Sequence, residues 1–323
     1  MFSIVVPLWN SRDTVRETVG SVLAQTYDDF ELIVVDDGST DDSVATLAGV
    51  DDPRLRILRQ SNAGPGLARN AGIAAAKADW IAFLDADDLW LPDHLAELDR
   101  IRARFPQAGL IGTAYIQADG SGSFRPPDPG SGAVREVNFF ERIALGDPLL
   151  FSSSAAVSRR TVEALGDFPA DRFGQDMRYW MRIALAMPVA VSTRSTAIYR
   201  PLPTGLSASL GSLWRGRTLT GPGDVSHRIA FLLDRYDAAP AALKPGIDRF
   251  IDREFRWCLR HSARDGDLAT IRALRPLYLR RPRGGDRLLL GAARLPAPAA
   301  RFLYRGAAAI IPPLRRAVQR LRG

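Results

Sequence analysis

One cysteine, two lysines and three histidines are all that these 323 residues hold of those types. Cys258 alone cannot close an internal disulfide or build a thiolate metal site, which fits a reducing compartment and a buried, apolar role for the thiol. Long apolar runs are missing too: no stretch approaches the roughly 18–20 uninterrupted apolar residues a spanning helix needs. The chain opens directly into Ser3-Ile4-Val5-Val6-Pro7, with neither the basic region nor the cleavage site of a signal peptide, so the expected setting is cytoplasmic. Neither a G-x-G-x-x-G fingerprint nor the Gly-Lys-Ser/Thr of a P-loop occurs, which removes the two familiar nucleotide-binding motifs.

What is present suits a packed globular chain, with 46% hydrophobic residues, enough for one large domain or two ordinary ones. The net charge of +7 hides an asymmetry: residues 1–209 carry 20 basic and 27 acidic residues, −7 net, and residues 210–323 carry 23 and 9, +14 net. A boundary near residue 210 is expected, separating 1–209 from an arginine-rich helical region, 210–323. The two parts meet different partners.

The first third alternates β-branched runs with helical patterns: Ser3–Pro7, Asp13–Thr26, Glu31–Val35, Asp41–Leu47, Leu55–Leu58, Gly66–Ala76 and Trp80–Leu84. Strands alternating with helices predict a parallel sheet with helices on its faces. In the first helix Val15, Val19, Val22 and Leu23 form a one-sided apolar stripe, with Ser11 and Thr14 as caps. Residues 93–105 predict another helix, Leu110–Gln117 a strand, Gly120–Gly132 a loop, Phe151–Ser158 a strand, Arg160–Leu165 a short helix and Asp176–Met187 a longer one. Val189–Ser192 and Thr196–Tyr199 read as the last two strands, followed by helices near 225–237, 243–263 and 267–279.

Two of the apolar runs end in acids. Trp80-Ile81-Ala82-Phe83-Leu84 leads into Asp85-Ala86-Asp87-Asp88, and Leu32-Ile33-Val34-Val35 into Asp36-Asp37-Gly38. In a parallel sheet such ends share one edge, where open α/β sheets bind ligands. Left unpaired in a cleft, Asp85, Asp87 and Asp88 would repel each other, which implies a cation, most simply a divalent metal carrying phosphate oxygens. The alternative is a solvated acidic turn with Asp as a helix cap. Asp36 or Asp37 can accept from a base N–H or ribose hydroxyls, or can simply form a turn. Trp9, just beyond Pro7, either stacks on a nucleobase or packs in the core. Asn62-Ala63-Gly64-Pro65-Gly66-Leu67-Ala68-Arg69-Asn70 is a glycine-rich turn into a helix, able to turn backbone N–H groups and Arg69 toward anionic oxygens.

In their order and spacing these segments resemble the family 2 glycosyltransferases, over roughly residues 2–200. The resemblance rests on Val6-Pro7-Leu8-Trp9-Asn10, on Ser21–Thr26 leading to Phe30–Asp41, on Gly66-Leu67-Ala68-Arg69-Asn70-Ala71-Gly72, and on Asp85–Trp90. It implies an α/β GT-A-type mixed sheet flanked by helices, with a helical C-terminal extension. It also implies a nucleotide-sugar donor, a UDP-sugar by preference. Trp9 would stack on the base, Pro7 would line the same edge, and Asp37 or Asp36 would bond the base. Asp87 would bind Mn2+ or Mg2+ bridging the diphosphate, with Asp85 or Asp88 near the ribose and sugar. The segment Gly174-Gln175-Asp176-Met177 matches the family's general-base position, so Asp176 is the implied base of an inverting transfer to a glycan or lipid-linked acceptor.

Two departures stand out. Gln175 replaces the usual Glu before the base, and Arg200-Pro201-Leu202-Pro203 lacks the histidine relatives often carry two residues after the arginine. None of His94, His227 or His261 falls there. In the C-terminal part, arginines interleave with apolar stretches such as Leu288–Leu290 and Ala307–Ile311, as a peripheral surface facing anionic lipid would need. A solvated helical face in an arginine-preferring protein is the plainer reading, and no aromatic platform supports nucleic-acid binding. Two other functions compete: a non-catalytic nucleotide-sugar-binding protein and, more distantly, a nucleotidyltransferase.

Overall fold

Phe2–Leu8 and Phe30–Asp36 are β-branched and aliphatic almost throughout, so each can be covered on both faces, and they form the adjacent parallel strands β1 and β2. The computed structural model describes residues 1–119, 122–125, 132–146, 150–171, 174–201 and 227–265. By its contacts the chain divides into two units, Met1–Gly211 and Ser212–Gly323.

The first unit is built on a sheet of nine strands among the described residues. Besides β1 and β2 these are β3 (Leu55–Arg59), β4 (Trp80–Phe83), β5 (Leu89–Trp90), β6 (Leu110–Gln117), β7 (Val134–Val137), β8 (Ala155–Ser158) and β9 (Val189–Tyr199), in the order β3-β2-β1-β4-β8-β6-β9-β5, with β7 beside β9. Strands β3, β2, β1 and β4 run parallel, β4 and β8 antiparallel, and β6 and β9 parallel again. The four strands of the first third are parallel, as their alternation with helices predicts, and the later strands make the sheet mixed. Helices α1 (Val15–Leu23), α2 (Pro65–Ala75), α3 (His94–Arg104), α4 (Phe139–Leu145), α5 (Arg159–Leu165) and α6 (Gln175–Ala186) flank it. One continuous core joins Phe2, Ile4, Val6 and Leu8 of β1 to Val15, Val19 and Val22 of α1 and Leu95, Leu98 and Ile101 of α3.

Several local expectations are corrected. Asp41–Leu47 is not a regular helix: only Ala45–Leu47 forms a 3-10 turn, because Asp41 and Ser43 bond one another locally instead of continuing a ladder. Thr14 occupies the N-cap of α1, but its hydroxyl donates to Ala86 O at 2.8 Å and no side-chain cap bond forms at that end. Ser152–Ser154 is a 3-10 turn, and only Ala155–Ser158 is extended. The last two expected strands are one, β9, whose register against β6 slips around Thr113–Tyr115. In the second unit α7 (His227–Arg235) and α8 (Lys244–Asp265) match two expected helices, and Cys258 is buried on α8. The expected helix at 267–279 and most of the Gly120–Gly132 loop lie outside the described residues. No described helix is long and apolar enough to cross a membrane.

Candidate active site

The register of the parallel strands decides which residues meet. Leu8 pairs with Asp36 across β1 and β2, Asp37 N donates to Leu8 O at 2.8 Å, and Leu84 N donates to Val5 O at 3.1 Å. The carboxyl ends of β1, β2 and β4 thus bring Pro7, Trp9, Asp36, Asp37 and the Asp85–Asp88 loop to one edge. Trp9 is 53% exposed, which excludes the core role for this indole and leaves it as an open platform.

Asp36 and Asp37 are both buried. Asp36 Oδ1 accepts from Ser39 N at 2.9 Å and closes the turn at Gly38, whose φ of +72° and crowding by Asn62 N leave no room for a side chain. Asp37 accepts from Gln60 Nε2 at 2.7 Å, from Ala63 N at 2.8 Å and from Gly64 N at 2.8 Å, so its carboxylate holds the glycine-rich turn against the strand end. That turn feeds α2, which begins at Pro65 and carries Arg69.

Arg69 is 3% exposed and pairs with Asp85, and its guanidinium lies 5.4 Å from the Phe168 ring centre. Its Nε and Nη1 are buried without a hydrogen-bond partner among the described residues. Buried donors of a charged group are costly to leave unmade, so an anionic oxygen arriving beside Asp85 would satisfy them.

In the acidic loop the three carboxylates divide their work. Asp88 is 1% exposed; it accepts from Ser153 Oγ and, at 2.9 Å, from Arg200 N. Burial and the neighbouring Asp87 and Asp85 push its pKa well above the ordinary carboxylate range. Asp88 is thus an internal clasp, and Asp85, with about a third of its side chain exposed, is the one of that pair open to solvent. Asp87 is pushed up to about 6, first by burial and then by the charge of Asp85, against the opposing pull of Arg200 and Arg69. The loop backbone is clamped from α1: Thr18 Oγ1 donates to Ala86 O at 3.0 Å and to Asp88 O at 2.8 Å.

Asp87 and Asp85 are hard oxygen donors, and the charge of Asp85 adds to burial in raising the proton affinity of Asp87, which is the condition a divalent cation relieves. No group of three or more His, Cys, Asp or Glu side chains able to hold a metal occurs among the described residues. A divalent cation would find two carboxylates here, Asp87 and Asp85, and would need further oxygens from outside the protein.

Asp176 lies in the first turn of α6, where the helix dipole favours a carboxylate. Its Oδ1 accepts from Met177 N at 2.7 Å and its Oδ2 from Ser152 Oγ at 3.2 Å. Gln175 before it is buried, with its Cγ against Gly66 of α2; a Cβ on Gly66 would come within 2.8 Å of Pro169 O.

Two groups escaped the sequence reading. Ser153 binds Asp88, accepts from Asp85 N at 3.0 Å through its hydroxyl, and takes Trp90 Nε1 on its carbonyl. Arg200, which the sequence marks only as the residue before Pro201, donates through Nε to Asp87 O and through Nη1 to Glu17. The signals were a Ser-Ser-Ser run and an arginine at the end of the last strand, neither distinctive alone.

With the geometry in hand, similarity to known proteins adds an independent line. Residues 3–162 match the family model described as Glycosyl transferase family 2. Succinoglycan biosynthesis protein ExoO of Rhizobium meliloti is 42% identical over 120 residues, 36% of this chain and 34% of that protein. The putative teichuronic acid biosynthesis glycosyltransferase TuaG of Bacillus subtilis is 28% identical over 187 residues, 57% of this chain and 71% of that protein. The match thus spans about a third of ExoO's own length. Among solved structures, S. aureus TarS 1–349 in complex with UDP-GlcNAc superposes with a TM-score of 0.69 at 18% identity, covering 95% of this chain and 90% of that one. Mannosyltransferase PcManGT from Pyrobaculum calidifontis, in complex with GDP-Man and Mn2+, gives 0.57 at 20% identity over 96% and 86% of the two chains. These likenesses establish a shared fold.

Proposed function

Residues 3–162 of this chain are a family 2 glycosyltransferase domain on a GT-A fold, and from that premise we propose that the chain is an inverting glycosyltransferase using a nucleotide-sugar donor and a divalent cation. The observation that carries the reading is the convergence, at one sheet edge, of an exposed Trp9, a buried and under-partnered Arg69 and Asp85 with Asp87, with Asp176 bonded to Ser152 in the turn whose next residue, Ser153, grips the acidic loop.

In this mechanism Trp9 stacks on the base and the 60–64 turn, anchored by Asp37, faces the nucleoside. Arg69 offers its two unpartnered N–H donors to diphosphate oxygens. Asp87 and Asp85 would hold the cation, which when bound would offset the charge that develops on the leaving diphosphate. Asp176 takes the proton from an acceptor hydroxyl as that oxygen attacks the anomeric carbon, while the bond from that carbon to the diphosphate oxygen breaks on the opposite face. The configuration inverts, and a nucleoside diphosphate leaves with the electron pair.

A UDP-sugar is the preferred donor, a reading supported by the UDP-GlcNAc complex of TarS; the GDP-Man complex of PcManGT makes a guanosine donor the alternative. The names of ExoO and TuaG support an acceptor in cell-surface polysaccharide synthesis, a growing glycan or its lipid-linked precursor. We place catalysis in residues 1–209 and assign 210–323, at +14 net, to contact with an anionic membrane surface.

The test is nucleoside diphosphate release from UDP-GlcNAc or GDP-mannose with Mn2+, by wild type and Asp176→Asn. The expected result is metal-dependent release that falls by about 10²–10⁴ in the variant. Release by Asp176→Asn at the wild-type rate would remove Asp176 as the base.

A further inference from the structure

Ser152 stands where the turn that grips the acidic loop also reaches Asp176. The turn is fixed on several sides: Ser154 N donates to Phe151 O at 3.0 Å and Phe151 N to Ser154 Oγ at 3.1 Å. The Phe151 ring packs 4.4 Å from Tyr115 and 5.6 Å from Tyr199, centre to centre. Next in the chain, Ser153 is locked to Asp88, Asp85 N and Trp90. Ser152 itself is 4% exposed, so little water competes for its hydroxyl.

Among the described residues Asp176 has one other anchor, Met177 N on Oδ1, and this bond belongs to its own helix turn. A carboxylate held through one oxygen can still swing its other oxygen. A second donor, from a different element, fixes the plane of the group. That donor is Ser152 Oγ on Oδ2, a charge-assisted bond at 3.2 Å. With one bond on each oxygen among the described residues, both keep a lone pair able to receive a proton.

We propose that Ser152 is a positioning residue for Asp176, holding its carboxylate in the orientation that accepts the acceptor's proton, and that the 151–154 turn thereby sets the base in register with the donor-binding acidic loop. The proposal rests on the reading of Asp176 as general base. Because it concerns orientation, its effect belongs to the chemical step and not to donor binding. Misplacement by about 1 Å at such a group costs up to about 10²-fold in rate.

The test compares wild type, Ser152→Ala, Ser152→Thr, Asp176→Asn and the Ser152→Ala/Asp176→Asn double variant. Nucleoside diphosphate release is followed with Mn2+ and whichever of UDP-GlcNAc or GDP-mannose raises the wild-type melting temperature more, and UDP or GDP affinity is measured by calorimetry. Ser152→Ala is expected to lose about tenfold in kcat with the donor KM and nucleotide Kd unchanged. Ser152→Thr, which keeps the hydroxyl, should recover most of that loss, and the double variant should be no slower than Asp176→Asn. Full activity in Ser152→Ala beside an inactive Asp176→Asn overturns the positioning role and leaves the base reading standing. A parallel loss of nucleotide affinity and rate, unrescued by Thr, assigns Ser152 to the fold and also overturns it. An active Asp176→Asn, or a wild type that releases nothing from either donor, brings down the functional reading and this proposal with it.

Discussion

Asp87 and Asp88 are neighbours in sequence with opposite assignments, and their surroundings decide this. Asp88 already has its two internal donors, whereas Asp87 is partly exposed and raised to about 6 by burial and by Asp85. Asp88→Ala should therefore destabilise the protein by about 3 kcal/mol, since Ser153 Oγ and Arg200 N lose a buried acceptor. Urea unfolding of the metal-free protein measures this. His94 carries a pH signature of its own. It is fully buried, stacked on Trp90 and bonded through Nδ1 to Thr196 Oγ1 at 2.7 Å, and burial lowers it to about 3. Between about 6.5 and 3 the unfolded chain binds a proton that the native His94 refuses, so stability falls as pH drops through that window. From pH 7 to pH 5 the loss from this one group is about 2 kcal/mol, and His94→Phe should remove most of it. Chemical denaturation at the two pH values reads the difference, and equal slopes in wild type and variant would place the titration elsewhere. At this scale the acids and Trp9 were legible in the sequence because strand ends flag them. Division of labour among Asp85, Asp87 and Asp88 was not, because it depends on Ser153 and Arg200, which are 65 and 112 residues from Asp88.

Elements place these side chains, and α2 packs closely on β1. A Cβ on Gly72 would lie 2.3 Å from Val5 Cγ1, so the helix sits on the strand at a distance only glycine permits. Gly72→Ala should destabilise by about 1–3 kcal/mol and shift Arg69, weakening nucleotide affinity as well as lowering the melting temperature. Unchanged stability would mean that α2 has room to move. The periodic elements β1, β2, β4, α1, α2, α3 and α6 were readable because each repeats one burial pattern over several residues. The 151–154 turn was not, since Phe-Ser-Ser-Ser-Ala-Ala-Val has no period that separates a strand from a tight turn. Strand β5 is two residues long and pairs with β9 from 107 or more positions away, a contact no local window contains.

Across the whole molecule the charge asymmetry is the feature with the widest consequence. Residues 210–323 hold +14 net and residues 1–209 hold −7. If the basic part meets anionic lipid, the protein should co-sediment with vesicles rich in anionic headgroups at low salt and detach as the Debye length falls from about 10 Å at 0.1 M toward about 3 Å at 1 M. Complete recovery in the supernatant at low salt would refute that assignment while leaving the donor site untouched. The asymmetry itself was plain from counting residues. The catalytic and lipid roles of residues 1–209 and 210–323 are separate proposals.

The central claim is that Asp87 and its loop hold a cation-bound nucleotide-sugar donor. A thermal-shift panel of UDP-, GDP-, dTDP- and CMP-sugars, each with and without Mn2+ or Mg2+, on wild type and Asp87→Ala, tests it most directly. The account predicts stabilisation by one nucleotide class, dependent on the metal and absent in Asp87→Ala. A donor shift that persists without metal and in Asp87→Ala, or no shift with any donor, would contradict it.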